Sequence, residues 1–349
     1  MNKVLSEKIR ILSFVSIILV LYIHSGFHET ANEIAGMSFN IYLQEYVSRK
    51  IARIAVPFFF IISGFLFFKN VDGIKDVLRK MNRRINTLLI PYIIAALFLP
   101  AFYWTLTYIP AANKFVNSQG VLDCFQYGIF KVLYSLYIDA GNGSPLAFHL
   151  WFLRDLIGIV LLSPILYFSL KPFKGILCLL LLFFVTYFSS VSFISSMFWF
   201  VLGAVLGSYL LSLKCKYGGL ILIAFILLGA VEMFYFPEDI SILIGIPAIL
   251  LGVVGICCSY DIIIGNSFDL NNHNLLKNCC LFSFFIYLYH EPTLNVVRKI
   301  IVLPFHSSSL GFAISYMLSP WIFAFCAICV GILFRKFFPK VYFVLVGGR

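Results

Sequence analysis

The sequence predicts an all-α membrane protein with about ten transmembrane helices and both termini in the cytoplasm. Apolar residues make up 61% of the chain and charged residues only 12%, whereas soluble domains carry about 25% charged residues. The mean hydropathy is +0.98, and the apolar residues form runs of about 20, enough to cross a bilayer as a helix. The net charge of +11 comes largely from basic residues between these runs, so it indicates cytoplasmic loops and no nucleic-acid partner.

Ten apolar segments are predicted to span the membrane. They cover residues 9–27, 51–68, 85–109, 146–169, 175–192, 194–211, 218–236, 239–259, 279–301 and 310–334. The first run follows Lys3, Lys8 and Arg10 as in a signal peptide, but it is long and has no obvious A-x-A site. We therefore interpret it as an uncleaved first span. The fifth and sixth segments are almost continuous and are divided at residue 193.

The longest polar connection, residues 110–145, contains the stretch "VLDCFQYGIFKVLYSLYI". This pattern predicts an amphipathic helix in the membrane interface. The chain shows no internal repeat, low-complexity tract or soluble segment. We therefore expect residues 1–349 to form a single membrane-embedded domain in contact with the lipid bilayer.

Lys and Arg are distributed unevenly between the two sides of a ten-span topology. One side carries Lys3, Lys8, Arg10, Lys69, Lys75, Arg79, Lys80, Arg83, Arg84, Lys171, Lys174, Lys214, Lys216, Arg335, Lys336, Lys340 and Arg349. The other side carries Arg49, Lys50, Lys114, Lys131, Arg298 and Lys299. Because cytoplasmic loops carry an excess of Lys and Arg, the first side is predicted to be cytoplasmic. The expected location is the cell membrane, plasma or inner, as a multi-pass protein.

Ionisable residues inside the predicted spans are the first functional candidates, because each costs about 3 kcal/mol at the bilayer centre. They are Arg10 and His24 in the first span, His149, Arg154 and Asp155 in the fourth, Glu232 in the seventh, and His290 and Glu291 in the ninth. The stretch "VPFFFIISGFLFF" in the second span adds Ser63 and Gly64. No metal is expected at any of these positions.

The histidines and the fourth-span pair each have a structural alternative. His24 also fits an interfacial histidine bonded to a carbonyl, and His149 fits a surface residue beside a loop. Arg154 and Asp155 are adjacent, so they are predicted to point to different sides of their helix, with Arg154 paired elsewhere.

The remaining candidates have alternatives of the same kind. The stretch "YHEP" also predicts a helix kink at Pro292. Glu232 lies near the end of its span and is predicted to be interfacial. Ser63 and Gly64 more often permit close helix packing than catalysis.

The candidate residues recur together in a known pattern. The stretches that carry it are "ILSFVSIILVLYIHSG", "VPFFFIISGFLFF", "RKMNRRINTLLIPYII", "HLWFLRDLIGIVLLSPILY" and "FSFFIYLYHEPTL". In these stretches the chain resembles the membrane acyltransferase-3 family of multi-spanning O-acyltransferases. The likeness runs from the first span to the ninth in family order, and "SGF", "PY", "WFL" and "YLYHEP" make it fairly specific.

The resemblance implies a histidine in the first span that serves acyl transfer, which is His24 here. It also implies an arginine eleven positions earlier, where this chain has Ser13. The nearest arginine, Arg10, lies fourteen positions before His24, within about 40° of the same helix face. Either Arg10 substitutes for the family's arginine, or that role is absent.

The resemblance further suggests that Arg83 and Arg84, with Arg79 and Lys80 beside them, help to hold the acyl donor. Acetyl-CoA or another acyl-CoA is the expected donor, and guanidinium groups bind its phosphates in bidentate fashion. The same basic stretch also fits a plain topology anchor.

Acyl transfer to a hydroxyl needs a base or nucleophile, and a partly buried imidazole that stays neutral near pH 7 supplies either. The tetrahedral intermediate needs hydrogen-bond donors at its oxyanion. The candidates for that role are Arg154, Tyr289, His149 and His290. Asp155 and Ser63 are expected to contact the substrate or to position the catalytic side chains.

The expected function is transfer of an acyl group, in particular acetyl, from cytoplasmic acyl-CoA to a hydroxyl of a cell-surface glycan or lipid-linked sugar. Many relatives append an extracytoplasmic domain, whereas this chain ends at Arg349. The membrane domain or a partner, such as a glycan-assembly enzyme, is thus expected to handle the acceptor. The alternatives are a transporter or flippase for a glycan or small solute, and a glycan polymerase that does not use coenzyme A. Those classes usually show inverted repeats or large extracytoplasmic loops, and the sequence shows neither.

Overall fold

The computed structural model describes residues 3–26, 39–109, 119–170, 174–189, 191–265, 268–305 and 308–348. Within these ranges the regular elements are all helices and no strand occurs, so the all-α prediction is confirmed for them. Lys114, Lys171 and Arg349, which enter the topology prediction, lie outside the described residues.

The α-helices follow one another along the chain. They are α1 (Lys3–His24), α2 (Phe39–Glu45), α3 (Ala55–Phe68), α4 (Ile74–Thr107), α5 (Gln119–Leu122), α6 (Ile129–Tyr137), α7 (Trp151–Leu161), α8 (Ser163–Ser169), α9 (Lys174–Phe188), α10 (Ser192–Ser212), α11 (Gly218–Tyr235), α12 (Glu238–Ile263), α13 (Asn274–Tyr289), α14 (Thr293–Val302), α15 (Ser309–Phe337) and α16 (Pro339–Leu345). A π-helix (Tyr46–Ile51) and a 3₁₀ turn (Ala52–Ile54) join α2 to α3.

Six of the described helical segments are long and apolar enough to cross a membrane. They are Phe39–Phe68, α4, α10, α11, α12 and α15, and α7 with α8 makes a seventh if this pair, bent by 62°, is one span. The ninth predicted span is interrupted, because α13 ends before Pro292, whose ring cannot continue a helix. The fifth predicted span shortens to the 15 residues of α9. The count of ten and the cytoplasmic termini stay predictions.

The predicted amphipathic element contains α6. This helix buries Val132 and Leu136 and exposes Phe130 and Leu133 on another face. An exposed apolar face on a short helix is what a position in the membrane interface requires.

The chain divides into two compact units. The first unit contains residues 1–70, 169–283 and 294–328, and the second contains residues 71–168, 284–293 and 329–349. The single-domain organisation expected from the sequence stays a prediction.

The first unit is built around the contact between α3 and α10. A side chain on Gly64 would collide with the backbone carbonyl of Phe200, and one on Gly203 would collide with that of Ile61. The two backbones therefore touch, which only glycine permits at these positions. The close-packing interpretation of Ser63 and Gly64 is confirmed for Gly64.

The second unit is built around α4. The Tyr92 hydroxyl donates to the Tyr137 carbonyl at the end of α6, with an O···O distance of 2.5 Å. After α16, Gly347 adopts a left-handed conformation with φ of +64°, and a side chain there would collide with the carbonyl of Thr87. The carboxyl-terminal segment thus lies directly on α4, one turn beyond Arg83 and Arg84.

Candidate functional site

The end of α1, in the first unit, presents His24. The last carbonyls of a helix have no partner within it and must be satisfied from outside. Here Ser25 Oγ donates to the Leu21 carbonyl at 2.6 Å, and Ser48 Oγ donates to the Tyr22 carbonyl at 2.9 Å. His24 itself is half-buried. The turn that carries the imidazole is therefore held in place by side chains.

Arg298, from α14, is the charged neighbour of this turn. Its Nη1 donates to the Gly26 carbonyl, its Nε donates to Asn295 Oδ1 at 2.9 Å, and its guanidinium interacts electrostatically with His24. Ser315 Oγ donates to the Arg298 carbonyl at 2.7 Å. A cation at the carboxyl end of a helix is stabilised by the helix dipole. This position brings a strong hydrogen-bond donor next to the imidazole.

Three aromatic residues, Tyr22, Tyr316 and Trp321, form a wall at the same end of α1. The rings of Tyr22 and Tyr316 have centroids 5.4 Å apart. The Tyr22 hydroxyl donates to the Met317 carbonyl at 3.1 Å and accepts from Trp321 Nε1 at 2.9 Å. Because each polar group of the wall is hydrogen-bonded, the wall is rigid as well as apolar.

Two of the cations in the first half of α1, Lys8 and Arg10, lie in different surroundings. Arg10 is exposed. Lys8 is only 2% exposed, and its Nζ pairs with Asp261 Oδ2 at 2.8 Å. Lys8 is thus the buried cation of α1, and the substitution of Arg10 for the family's arginine stays a prediction.

In the second unit, His149 and His290 come together from distant parts of the chain. Their ring centroids are 4.7 Å apart, at an interplanar angle of 70°, and the residues are 2% and 0% exposed. His149 Nε2 contacts the Leu288 carbonyl at 3.2 Å, and His290 Nδ1 contacts the Tyr287 carbonyl at 2.7 Å.

These carbonyl contacts decide the tautomers of the pair. A carbonyl oxygen only accepts, so the ring proton lies on Nε2 of His149 and on Nδ1 of His290 in the neutral forms. The basic nitrogens are then Nδ1 of His149 and Nε2 of His290. The Tyr287 hydroxyl donates to the His149 carbonyl at 3.1 Å and fixes the backbone of that residue.

Arg154 and Asp155, one helical turn beyond His149, bond to each other. Arg154 Nε and Nη2 donate to Asp155 Oδ1 at 3.0 and 2.8 Å. The prediction that these residues point apart was wrong, because the long Arg154 side chain folds back to the buried carboxylate. Arg154 Nη1 also donates to the carbonyls of Ile138 and Gly143, at 2.8 and 2.9 Å. These bonds hold the loop before α7, while the oxyanion-donor role expected for Arg154 stays a prediction.

Tyr289 and Glu291 flank His290 in the chain. The Tyr289 ring packs against Phe98 and Phe285, with centroids 5.3 and 5.1 Å away. Its hydroxyl oxygen is buried and has no hydrogen-bond partner among the described residues. A buried hydroxyl without a partner is costly, so this group is well suited to bind a polar atom of a ligand. Glu291 is buried as well.

The basic cluster at the start of α4 also lies in the second unit. Arg79 pairs with Asp76 at 2.8 Å but is largely exposed. Lys80 and Arg84 are half-buried and one turn apart, whereas Arg83 is exposed. In the described part of the chain neither Arg83 nor Arg84 has an ion-pair partner, so no carboxylate competes with an anionic ligand for the two guanidinium groups.

Glu232 lies in the last turn of α11, and its side chain is fully buried. Its predicted position at the membrane interface stays a prediction. Arg53 Nη1 and Nη2 donate to the two carboxylate oxygens at 2.8 and 2.6 Å, and Lys50 Nζ donates at 3.1 Å. Two cations from the turns before α3 make this burial possible. Arg53 lies inside the predicted second span. A charge within an apolar span is the sequence signal that could have identified this ion pair, but Arg53 was not among the candidate residues.

A model of the acyltransferase-3 family, described as an acyltransferase domain, matches residues 8–334. The chain belongs to the acyltransferase-3 family. Searches among curated proteins and solved structures return no match. The apolar helices and the family together indicate a multi-pass membrane acyltransferase.

The candidate residues of this acyltransferase fall into two groups. The first unit contains His24, Arg10 and Ser63; the second contains Arg79, Lys80, Arg83, Arg84, His149, Arg154, Asp155, Tyr289, His290 and Glu291. In the described ranges, no group of three or more His, Cys, Asp or Glu is arranged to hold a metal ion.

Sequence reasoning also missed the residues that surround the His24 end of α1 in the acyltransferase. Arg298 counted only as a loop charge on the sparser side of the membrane. Ser48, Tyr316 and Trp321 carry no signal in a single sequence, because their role depends on which helices meet.

Proposed function

We propose that this acyltransferase moves an acyl group, acetyl in the first instance, from cytoplasmic acyl-CoA to a hydroxyl of a cell-surface glycan or lipid-linked sugar. The proposal is carried by the position of His24, which lies within the residues that the family model matches and is held at the capped end of α1 beside Arg298. An imidazole fixed next to a guanidinium combines a base with an oxyanion donor.

In the proposed transfer, the acceptor oxygen attacks the thioester carbonyl carbon while the hydroxyl proton passes to the His24 imidazole. The carbonyl oxygen carries the negative charge of the tetrahedral intermediate, and the Arg298 guanidinium stabilises it. The C–S bond then breaks, and the thiolate of coenzyme A takes the proton from the imidazolium.

Donor binding is assigned to the start of α4. Arg83 and Arg84 have no ion-pair partner in the described structure, and two guanidinium groups match the phosphates of coenzyme A. With the predicted topology, this end of α4 faces the compartment in which coenzyme A is made. In the second unit, the buried Tyr289 hydroxyl and the His149–His290 pair are polar groups that we propose as further ligand contacts.

The experiment that tests this function compares cells with and without the gene. Membranes are supplied with acetyl-CoA labelled in its acetyl group, and surface glycans are analysed by mass spectrometry for labelled acetyl esters. We expect label in the glycan only when the protein is present. A glycan whose acyl content does not depend on the gene would contradict the proposal.

A further inference from the structure

A buried ionic cluster in the first unit takes no part in the chemistry described so far. This Glu232 cluster consists of Glu232 on α11 and of Lys50 and Arg53 in the turns before α3. The carboxylate accepts three charged hydrogen bonds within 3.1 Å. Because burial removes its hydration, these bonds compensate the charge and fix the turns against α11.

The segment that the cluster holds is not an ordinary α-helix. Residues 46–51 form a π-helix and residues 52–54 a 3₁₀ turn, and π-helical turns are rare and occur frequently at functional sites. The Tyr46 hydroxyl donates to the Ile226 carbonyl at 2.7 Å. The segment is thus tied to α11 near both of its ends, by Tyr46 and by Arg53.

Ser48 lies between these two anchors and reaches α1. Its hydroxyl donates to the Tyr22 carbonyl at 2.9 Å. A hydroxyl has one proton, so Ser48 accepts from the Tyr316 hydroxyl, 2.7 Å away. The Tyr22 carbonyl belongs to the last turn of α1, two residues before His24. Side-chain hydrogen bonds, joined by the backbone of the π-helical segment, therefore connect Glu232 to the turn that presents the imidazole.

We propose that Glu232 is a positioning residue for His24. It keeps Lys50 and Arg53 in place, this sets the register of the π-helical segment, and Ser48 then caps the end of α1. Glu232 contacts no reacting atom and acts only through the segment. The inference rests on the proposed role of His24 in acyl transfer.

The test uses the variants E232Q and S48A and the double variant in the full-length protein. The first readout is the acyl-transfer rate with acetyl-CoA. The second is the rate at which diethyl pyrocarbonate modifies His24, followed by peptide mass spectrometry, which needs no substrate. A displaced catalytic group loses about 10²-fold in rate. We expect E232Q to lower kcat by about 10- to 100-fold, to leave the KM for acetyl-CoA unchanged, and to alter the modification rate of His24.

The double variant identifies the route of the effect. If Glu232 acts through Ser48, the two substitutions are not additive, and the double variant transfers acyl groups about as fast as E232Q alone. Independent effects that multiply would overturn the proposal, as would unchanged modification of His24 in a folded E232Q protein.

The matched control is Glu45→Gln. Glu45 lies one residue before the π-helix and pairs with Arg49 at 2.8 Å, but the two side chains are 40% and 73% exposed. Exposed pairs contribute little, so neither readout should change.

Two further outcomes are separable. If the wild-type protein transfers no acyl group, the proposed function fails, while the modification rates still test the positioning of His24. If E232Q does not accumulate in membranes, S48A carries the test, because it removes one hydroxyl and leaves the charges intact. An unchanged modification rate in S48A would then overturn the proposal.

Discussion

Among single residues, His24 is the one whose replacement should reduce acyl transfer most. His24→Gln keeps a hydrogen bond but cannot take up the acceptor proton. General acid–base catalysis typically contributes about 10²- to 10⁴-fold in rate, so the variant should lose acyl transfer by about that factor at normal protein level. The measurement is the acyl content of the glycan. His273→Gln, at an exposed loop histidine stacked on Phe268, is the control and should keep wild-type acylation. Normal acylation by His24→Gln would exclude His24 from the mechanism.

Arg83 and Arg84 give a second expectation at this scale. Replacing both by Ala should raise the KM for acyl-CoA by about 10- to 100-fold, since charged hydrogen bonds contribute about 1.5–3 kcal/mol. Replacement by Lys should restore the KM only in part, because the planar fork is lost. Replacing Arg335 and Lys336, in the last turn of α15, removes the same charge and should leave the KM unchanged. Unchanged donor affinity in the first variant would support the anchor interpretation.

The sequence predicts which single residues are candidates, but it does not predict which of them contact each other. His24, His149 and His290 stand out by charge within apolar runs, so a single sequence is enough to list them. That His149 meets His290, or that Arg53 meets Glu232, depends on which helices pack together, and nothing local records it. The prediction that Arg154 and Asp155 point apart was wrong for another reason. Helix geometry fixes the directions of the Cβ atoms, but it does not fix the path of a long side chain.

At the scale of helices, the contact between α3 and α10 makes a sharp prediction. Gly64→Ala puts a methyl group onto the Phe200 carbonyl. Overpacking costs about 1–3 kcal/mol, so the variant should unfold at lower temperature in detergent. Gly245→Ala in α12, where a side chain meets no atom within 4 Å, should be neutral or stabilising by about 0.5–1 kcal/mol. Equal unfolding temperatures for the two variants would contradict the packing described.

Helix positions were predicted far better than helix continuity. Each of the ten apolar segments overlaps a helix, because hydropathy records which residues avoid water. The bend after α7, the 15 residues of α9 and the break before Pro292 are local backbone events that a hydropathy window averages away.

At the level of the whole molecule, the distribution of Lys and Arg predicts the topology. With ten spans, a reporter fused at Lys114 should be extracytoplasmic and one fused at Lys340 cytoplasmic, since Lys and Arg accumulate on the cytoplasmic side. Alkaline phosphatase and green fluorescent protein fusions measure this directly, and a fusion at Lys75 serves as a second cytoplasmic marker. Both reporters on one side would remove the argument that donor phosphates meet Arg83 and Arg84 from the cytoplasm.

The Glu232 cluster also affects the order in which the first unit assembles during synthesis. Glu232 follows Arg53 by 179 positions and Lys50 by 182, and chains grow at about 5–20 residues per second. Lys50 and Arg53 therefore leave the ribosome roughly 10 to 40 s before their carboxylate does. During that interval the two cations have to keep their charged ends hydrated while α3 is already in place. The Glu232 cluster can form only when α11 arrives, so this part of the first unit is completed late in synthesis.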